Sequence, residues 1–98
     1  MTTLHIEHPI SDYAAWRDAF DRFASLRVEA GVIAQRVFQP IDDDHHVVIQ
    51  LDFPDDTRAA AFLDLLTTTI WPNPEASPAL RGTPRTTLLE ARPERPTR

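Results

Sequence analysis

Proline and glycine punctuate this chain so regularly that only short elements fit between them. Between Pro9, Gly31, Pro40, Pro54, Pro72 and Pro84 the hydrophobic period switches between two and about 3.6 residues. From Thr3 to Glu7 the residues alternate, with Leu4 and Ile6 on one side and Thr3, His5 and Glu7 on the other, as a half-buried strand requires. Pro9 stops that strand, and Ser11 or Asp12 is placed to cap a helix. Tyr13, Trp16, Ala19, Phe20, Phe23 and Leu26 then recur in steps of three and four, which predicts one helix from Tyr13 to Ala30. On its polar face Asp18 precedes Arg22 by four residues, the favourable order for a helical ion pair. Gly31 supplies the left-handed position just past the helix.

Two further alternating stretches, Val32–Gln39 and His45–Phe53, flank a turn rich in aspartate and pair most simply as a hairpin. In the second of them Val47, Ile49, Leu51 and Phe53 share one face, and His46, Val48, Gln50 and Asp52 the other. Pro54-Asp55-Asp56 opens a second helix, with Ala59, Phe62, Leu63, Leu66 and Ile70 as its apolar stripe, and Trp71-Pro72 ends it. Gly82 and Pro84 lead into a last strand, Arg85–Ala91. The order βαββαβ is the split-βαβ, ferredoxin-like arrangement of the α+β class, a four-stranded antiparallel sheet with two helices on one face. With 98 residues the chain makes one domain, 1–92, and the proline- and charge-rich residues 93–98 read as a flexible tail.

Composition removes several function classes. Ten basic against fifteen acidic residues leave a formal charge of −5, a poor match for a nucleic-acid backbone. The absence of cysteine excludes disulfides, thiolate metal sites and cysteine nucleophiles. No Gly-x-Ser-x-Gly motif is present, and neither of the two glycines sits in a phosphate-cradling loop. No apolar run approaches the roughly 20 residues of a membrane helix, and the first residues lack the basic and apolar regions of a signal peptide. The expected location is cytoplasmic.

Two helices cover only one face of such a sheet. On the open face the alternation places His5, Val48 and Gln50. Beside them come either Arg36 and Phe38 or Ile33 and Val37, and Leu88 or Leu89 from the last strand. A mixed apolar face of this kind is expected to pack against the sheet of a second copy, leaving a cavity between the two sheets.

The chain resembles the dimeric α/β-barrel superfamily, and within it the small proteins related to antibiotic-biosynthesis monooxygenases and polyketide cyclases. The resemblance is carried by His5-Ile6-Glu7-His8 leading into Asp12-Tyr13-Ala14-Ala15-Trp16, by Arg36-Val37-Phe38, by His46-Val47-Val48-Ile49 with Phe53, and by Ala60-Ala61-Phe62-Leu63. It spans residues 3–91 in order and spacing rather than in any single motif. The departure is the segment 72–84, which breaks the second helix with four prolines where relatives continue it. The resemblance implies a homodimer and a choice among oxygenase, cyclase, haem-degrading and non-catalytic roles. A haem ligand is expected on the helix beside the pocket, and residues 57–81 hold no histidine, which argues against haem.

His5 is the expected base, since a neutral imidazole on the cavity face can take a proton from an acidic carbon or phenol. Glu7, two residues on, is expected to orient it; the plain alternative is a strand histidine hydrogen-bonded across the dimer. Arg36 and Gln50 are candidates to bind a substrate oxygen, although Arg36 can equally pair with Glu7 or Asp52. Phe38 and Val48 are expected to line the same face, Trp16 to reach the cavity rim, and Trp71 to touch the ligand as part of a lid. Asp42-Asp43-Asp44-His45-His46 has the composition of a metal site without its spacing, and reads as a solvated turn. The reading is a homodimer that acts, without metal or organic cofactor, on a small aromatic or polyketide-like compound. The alternatives are a non-catalytic ligand-binding protein and a purely structural dimer.

Overall fold

The computed structural model describes residues 1–92; the expected tail lies outside them. Its elements are β1 (Thr2–Pro9), α1 (Tyr13–Arg22), α2 (Ala24–Glu29), β2 (Ala34–Phe38), β3 (His46–Phe53), α3 (Asp56–Leu65) with a π-helical turn (Leu66–Ile70), and β4 (Arg85–Glu90). The four strands form one antiparallel sheet in the order β2-β3-β1-β4. This is the ferredoxin-like architecture, and the expected β2–β3 hairpin is present, with Phe38 opposite Val48. No helix among the described residues is long and apolar enough to cross a membrane.

The core follows from strand alternation. Leu4 and Ile6 of β1 and Val47, Ile49, Leu51 and Phe53 of β3 are buried on the helix side, against Trp16, Ala59 and Phe62. Asp12, not Ser11, caps α1 by accepting from the Ala15 amide at 2.8 Å, and Asp55 caps α3 by accepting from Arg58 at the same distance.

Three local expectations need correction. The first helix is not continuous, because Phe23 (φ −99°, ψ 15°) separates α1 from α2. Arg27 Nη1 donates to the Phe20 carbonyl at 2.6 Å. In an unbroken helix that oxygen would receive the amide of Ala24. The polar face uses Arg17–Asp21 at 3.2 Å as its ion pair rather than Asp18–Arg22. The second helix widens after Leu65, where the Trp71 amide reaches back five residues to the Leu66 carbonyl. Within this turn the Thr67 and Thr68 hydroxyls both donate back to the Asp64 carbonyl, competing with the helical ladder.

The proline-rich segment 72–84 is tied to the end of β1. Ile10 bridges Leu80, Ser11 donates to the Ala79 carbonyl at 2.9 Å, and Arg81 donates to the Pro9 carbonyl at 3.1 Å. The segment therefore becomes a wall over one end of the sheet.

Gly31 closes α2 as expected. Its φ is +97°, its amide bonds the Val28 carbonyl, and Val32 bonds that of Arg27, which together make a Schellman ending. A Cβ at this position would also stand 3.0 Å from Arg58 Cδ. Gly31→Ala should destabilise the protein by about 1–2 kcal/mol through the left-handed backbone. Thermal unfolding should register this as a Tm lower by about 4–8 °C per kcal/mol; an unchanged Tm would contradict the assignment.

Candidate functional site

β1 carries three of the four histidine and glutamate side chains that matter, and its pleat sends them in opposite directions. His8 points to the helix side with Leu4 and Ile6 and is 3% exposed, whereas His5 and Glu7 point to the open face. The register settles what the alternation of β2 and β4 left open. Arg36 lies opposite Gln50, Phe38 opposite Val48 and Leu89 opposite Thr3, so all three belong to the open face, while Val37 and Leu88 do not.

On the helix side a partly open cavity of about 80 Å³ lies between sheet and helices. Its walls are mainly apolar, with Trp16, Phe20, Phe62 and Trp71 among them, and the polar groups His8, Arg27 and Ser77 face it. Trp16 stacks on Phe20 at 4.8 Å, and its ring centroid lies 6.4 Å from that of His8. Ala76, Ser77, Ala79 and Leu80 form the wall supplied by the proline-rich segment. His8 Nδ1 lies 3.1 Å from the Pro9 carbonyl, which can only accept. The proton of the neutral ring therefore sits on Nδ1, and Nε2 keeps its lone pair. Burial pushes the His8 imidazole below its ordinary value, which outweighs the opposing effect of the Pro9 hydrogen bond, so the ring is neutral at pH 7.

The open face carries a row of hydrogen bonds across three strands. Arg36 holds Asp52 through both terminal nitrogens at 3.0 and 2.9 Å, and Thr3 donates to the same carboxylate at 2.6 Å. Arg36 Nε donates to Gln50 Oε1 at 3.0 Å, and Gln50 Nε2 to His5 Nδ1 at 3.3 Å. His5 Nε2 then meets Glu7 at 3.0 Å, and His46 approaches the other Glu7 oxygen at 3.5 Å. Hydrogen bonding to His5, then to His46, holds Glu7 below the usual carboxylate range; Arg36, then Thr3, does the same for Asp52 against an opposing desolvation.

The sheet thus divides the expected site. His5, Glu7, Arg36, Phe38, Val48 and Gln50 gather on the open face, while Trp16 and Trp71 line the cavity behind it. Within this chain His5 does not reach the cavity, and both its ring nitrogens are engaged by neighbours. Arg36 takes the pairing with Asp52 rather than standing free. The sequence reading missed His8 because it ended the strand at Glu7; Leu4-x-Ile6-x-His8 continues the buried alternation. It also missed Arg27, four residues after Phe23 on the apolar stripe, where a charge is out of place. Asp43, Asp44 and His45 bring one ligand atom each within 4.8 Å of one another, but all three are exposed on the turn.

Asp52 has a folded pKa below its ordinary value, so its pairing stabilises the protein above that ordinary value and is lost as pH falls through the folded one. Asp52→Asn should lower Tm at pH 7 and flatten the decline of Tm below about pH 4. A variant whose Tm falls as steeply in acid as that of the parent would show that the Asp52 pair does not carry this dependence.

No protein-family model and no curated protein sequence matches the chain. Solved structures do. SnoaB, a cofactor-independent oxygenase from Streptomyces nogalater, aligns with a TM-score of 0.73 over 98% of this chain and 97% of its own, at 18% identity. An antibiotic biosynthesis monooxygenase aligns at 0.65 over 95% and 100%, also at 18% identity. A dimeric ferredoxin-like protein from an uncultured marine organism aligns at 0.63 over 93% and 96%, at 14% identity. The likeness is one of fold, and it bears out the resemblance read from the sequence: this chain has the ferredoxin-like fold of the antibiotic-biosynthesis-monooxygenase proteins.

Proposed function

We propose that the chain is a cytoplasmic, cofactor-independent monooxygenase or cyclase acting on a small aromatic compound in the cavity between sheet and helices, with His8 as the base. The observation that carries this reading is a neutral, buried imidazole whose Nδ1 is pinned to the Pro9 carbonyl, in a cavity walled by Trp16 and Trp71. A phenolic or acidic C–H proton would pass to Nε2, leaving an electron-rich anion that reacts with dioxygen or closes a ring. A mainly apolar, aromatic-walled cavity suits that step, since it limits the water around the anion. The likeness to SnoaB supports the oxygenase branch.

The volume limits the substrate. About 80 Å³ is roughly half of the ~150 Å³ apolar cavity known to admit benzene, so a single ring enters only if a wall yields. We place one ring inside and any larger polyketide body at the mouth. His5, the base expected from the sequence, stands as the alternative on the open face. The test is oxygen uptake with a panel of quinols and anthrones. His8→Ala should lose about 10²-fold or more in rate while tryptophan fluorescence still reports ligand binding. Loss in His5→Ala instead would move the base to the open face, and binding without uptake in the parent protein would leave a ligand carrier.

The open face is proposed to pair with that of a second copy. Phe38 is 49% and Leu89 41% exposed beside the hydrogen-bonded row, and one structural neighbour is a dimeric ferredoxin-like protein. Light scattering should give about twice the 11.1 kDa chain mass, and Phe38→Asp should halve it. A parent protein that runs as a monomer would remove this part of the reading.

A further inference from the structure

Arg27 lies on the cavity wall with its charge uncompensated. It is 5% exposed, yet no carboxylate comes within 4.0 Å of it among the described residues. Nε donates to Gln35 at 2.9 Å and Nη1 to the Phe20 carbonyl at 2.6 Å, and the guanidinium carbon stands 3.7 Å from the centre of the Phe20 ring. These partners are neutral. They satisfy donors and lend some cation–π attraction, but they do not cancel a charge. The carboxylate whose field reaches Arg27, Asp21, is tied to Arg17 at 3.2 Å. Nη2 makes no hydrogen bond among the described residues. Since no sealed polar atom there is left without a partner, Nη2 keeps access to free space.

A guanidinium stays protonated at any pH of interest, so this site cannot escape its cost by losing the proton. Holding Gln35 and the Phe20 carbonyl occupies Nε and Nη1 but leaves the charge and Nη2 unused beside an aromatic-walled cavity.

We infer that the cavity is built for an aromatic ligand bearing an anionic oxygen, a carboxylate or a phenolate, which Arg27 receives through its free terminal nitrogen. This rests on the cavity reading above and narrows its substrate class. The ring would lie among Trp16, Phe20 and Trp71, while the oxygen supplies the countercharge that the protein itself lacks. Where the substrate arrives as a neutral phenol, the same guanidinium would stabilise the phenolate left after proton loss to His8, as fixed donors do in a water-poor site.

The test is a fluorescence titration of the full-length protein with benzoate and with benzamide, two single rings of similar shape that differ in charge, read through Trp16 and Trp71. Benzoate should bind at least tenfold more tightly than benzamide. That preference should fall to within about twofold in Arg27→Gln and persist in Arg27→Lys. Equal affinity for the two probes in the parent protein, or a preference that survives in Arg27→Gln, would overturn the inference while leaving the cavity reading standing. Absence of any response to either probe would overturn both. Should Arg27→Gln not fold, the comparison in the parent protein decides alone.

Discussion

The pleat of β1 is the constraint on which the rest of the molecule depends. This strand is hydrogen-bonded on both sides, to β3 and to β4, so its side chains can leave the sheet in only two directions. Leu4, Ile6 and His8 go to the helices, while Thr3, His5 and Glu7 go to the open face. A slip of one residue would exchange the two sets and bury Glu7 where Ile6 now sits. The separation of an apolar cavity with one neutral imidazole from a polar row with two more histidines follows from this period of two.

The cavity exists because its roof is interrupted. A continuous helix from Tyr13 to Ala30 would have carried its stripe straight over the sheet. Instead Arg27 captures the Phe20 carbonyl, the chain turns at Phe23, and a short α2 follows. At the other end the helix widens after Leu65 and gives way to the proline-rich segment, which returns to β1 through the Ile10–Leu80 bridge. The proline-rich segment thereby supplies a wall of the pocket through Ala76, Ser77, Ala79 and Leu80. The same carbonyl on Pro9 accepts from both His8 and Arg81, so that wall and the proposed base share one anchor.

The open face is organised differently. Polar groups there satisfy one another: Arg36 with Asp52, and Glu7 with His5 and His46. The row needs no ligand to satisfy it, and the exposed Phe38 and Leu89 beside it suit contact with another sheet. Arg27 behind the sheet makes the contrast, since its charge has no acid of its own. Polar chemistry on one side is closed, and on the other it is left open.

Most of the architecture was legible in the residues, because period and punctuation are local properties. Alternation in 3–7 and 46–53, the caps at Asp12 and Asp55, and Gly31 after the helix each depend on neighbours a few positions away. From these the βαββαβ order and the antiparallel sheet follow. What stood beyond reach depended on contacts between distant segments. Which face of β2 joins His5 is decided by the pairing of Arg36 with Gln50, and alternation alone is blind to which side the helices take. At the break by Phe23, the freed Phe20 carbonyl is taken up by the Phe23 amide and by a side chain seven residues further on. The site's division has the same origin: His5 and Trp16 both read as cavity residues in the sequence, and only the sheet between them puts them apart. Sequence by itself determined the elements and their order, through local sterics and hydrophobic period; tertiary structure alone decided which polar groups were sealed into the apolar interior, because burial is set by what packs across from each residue.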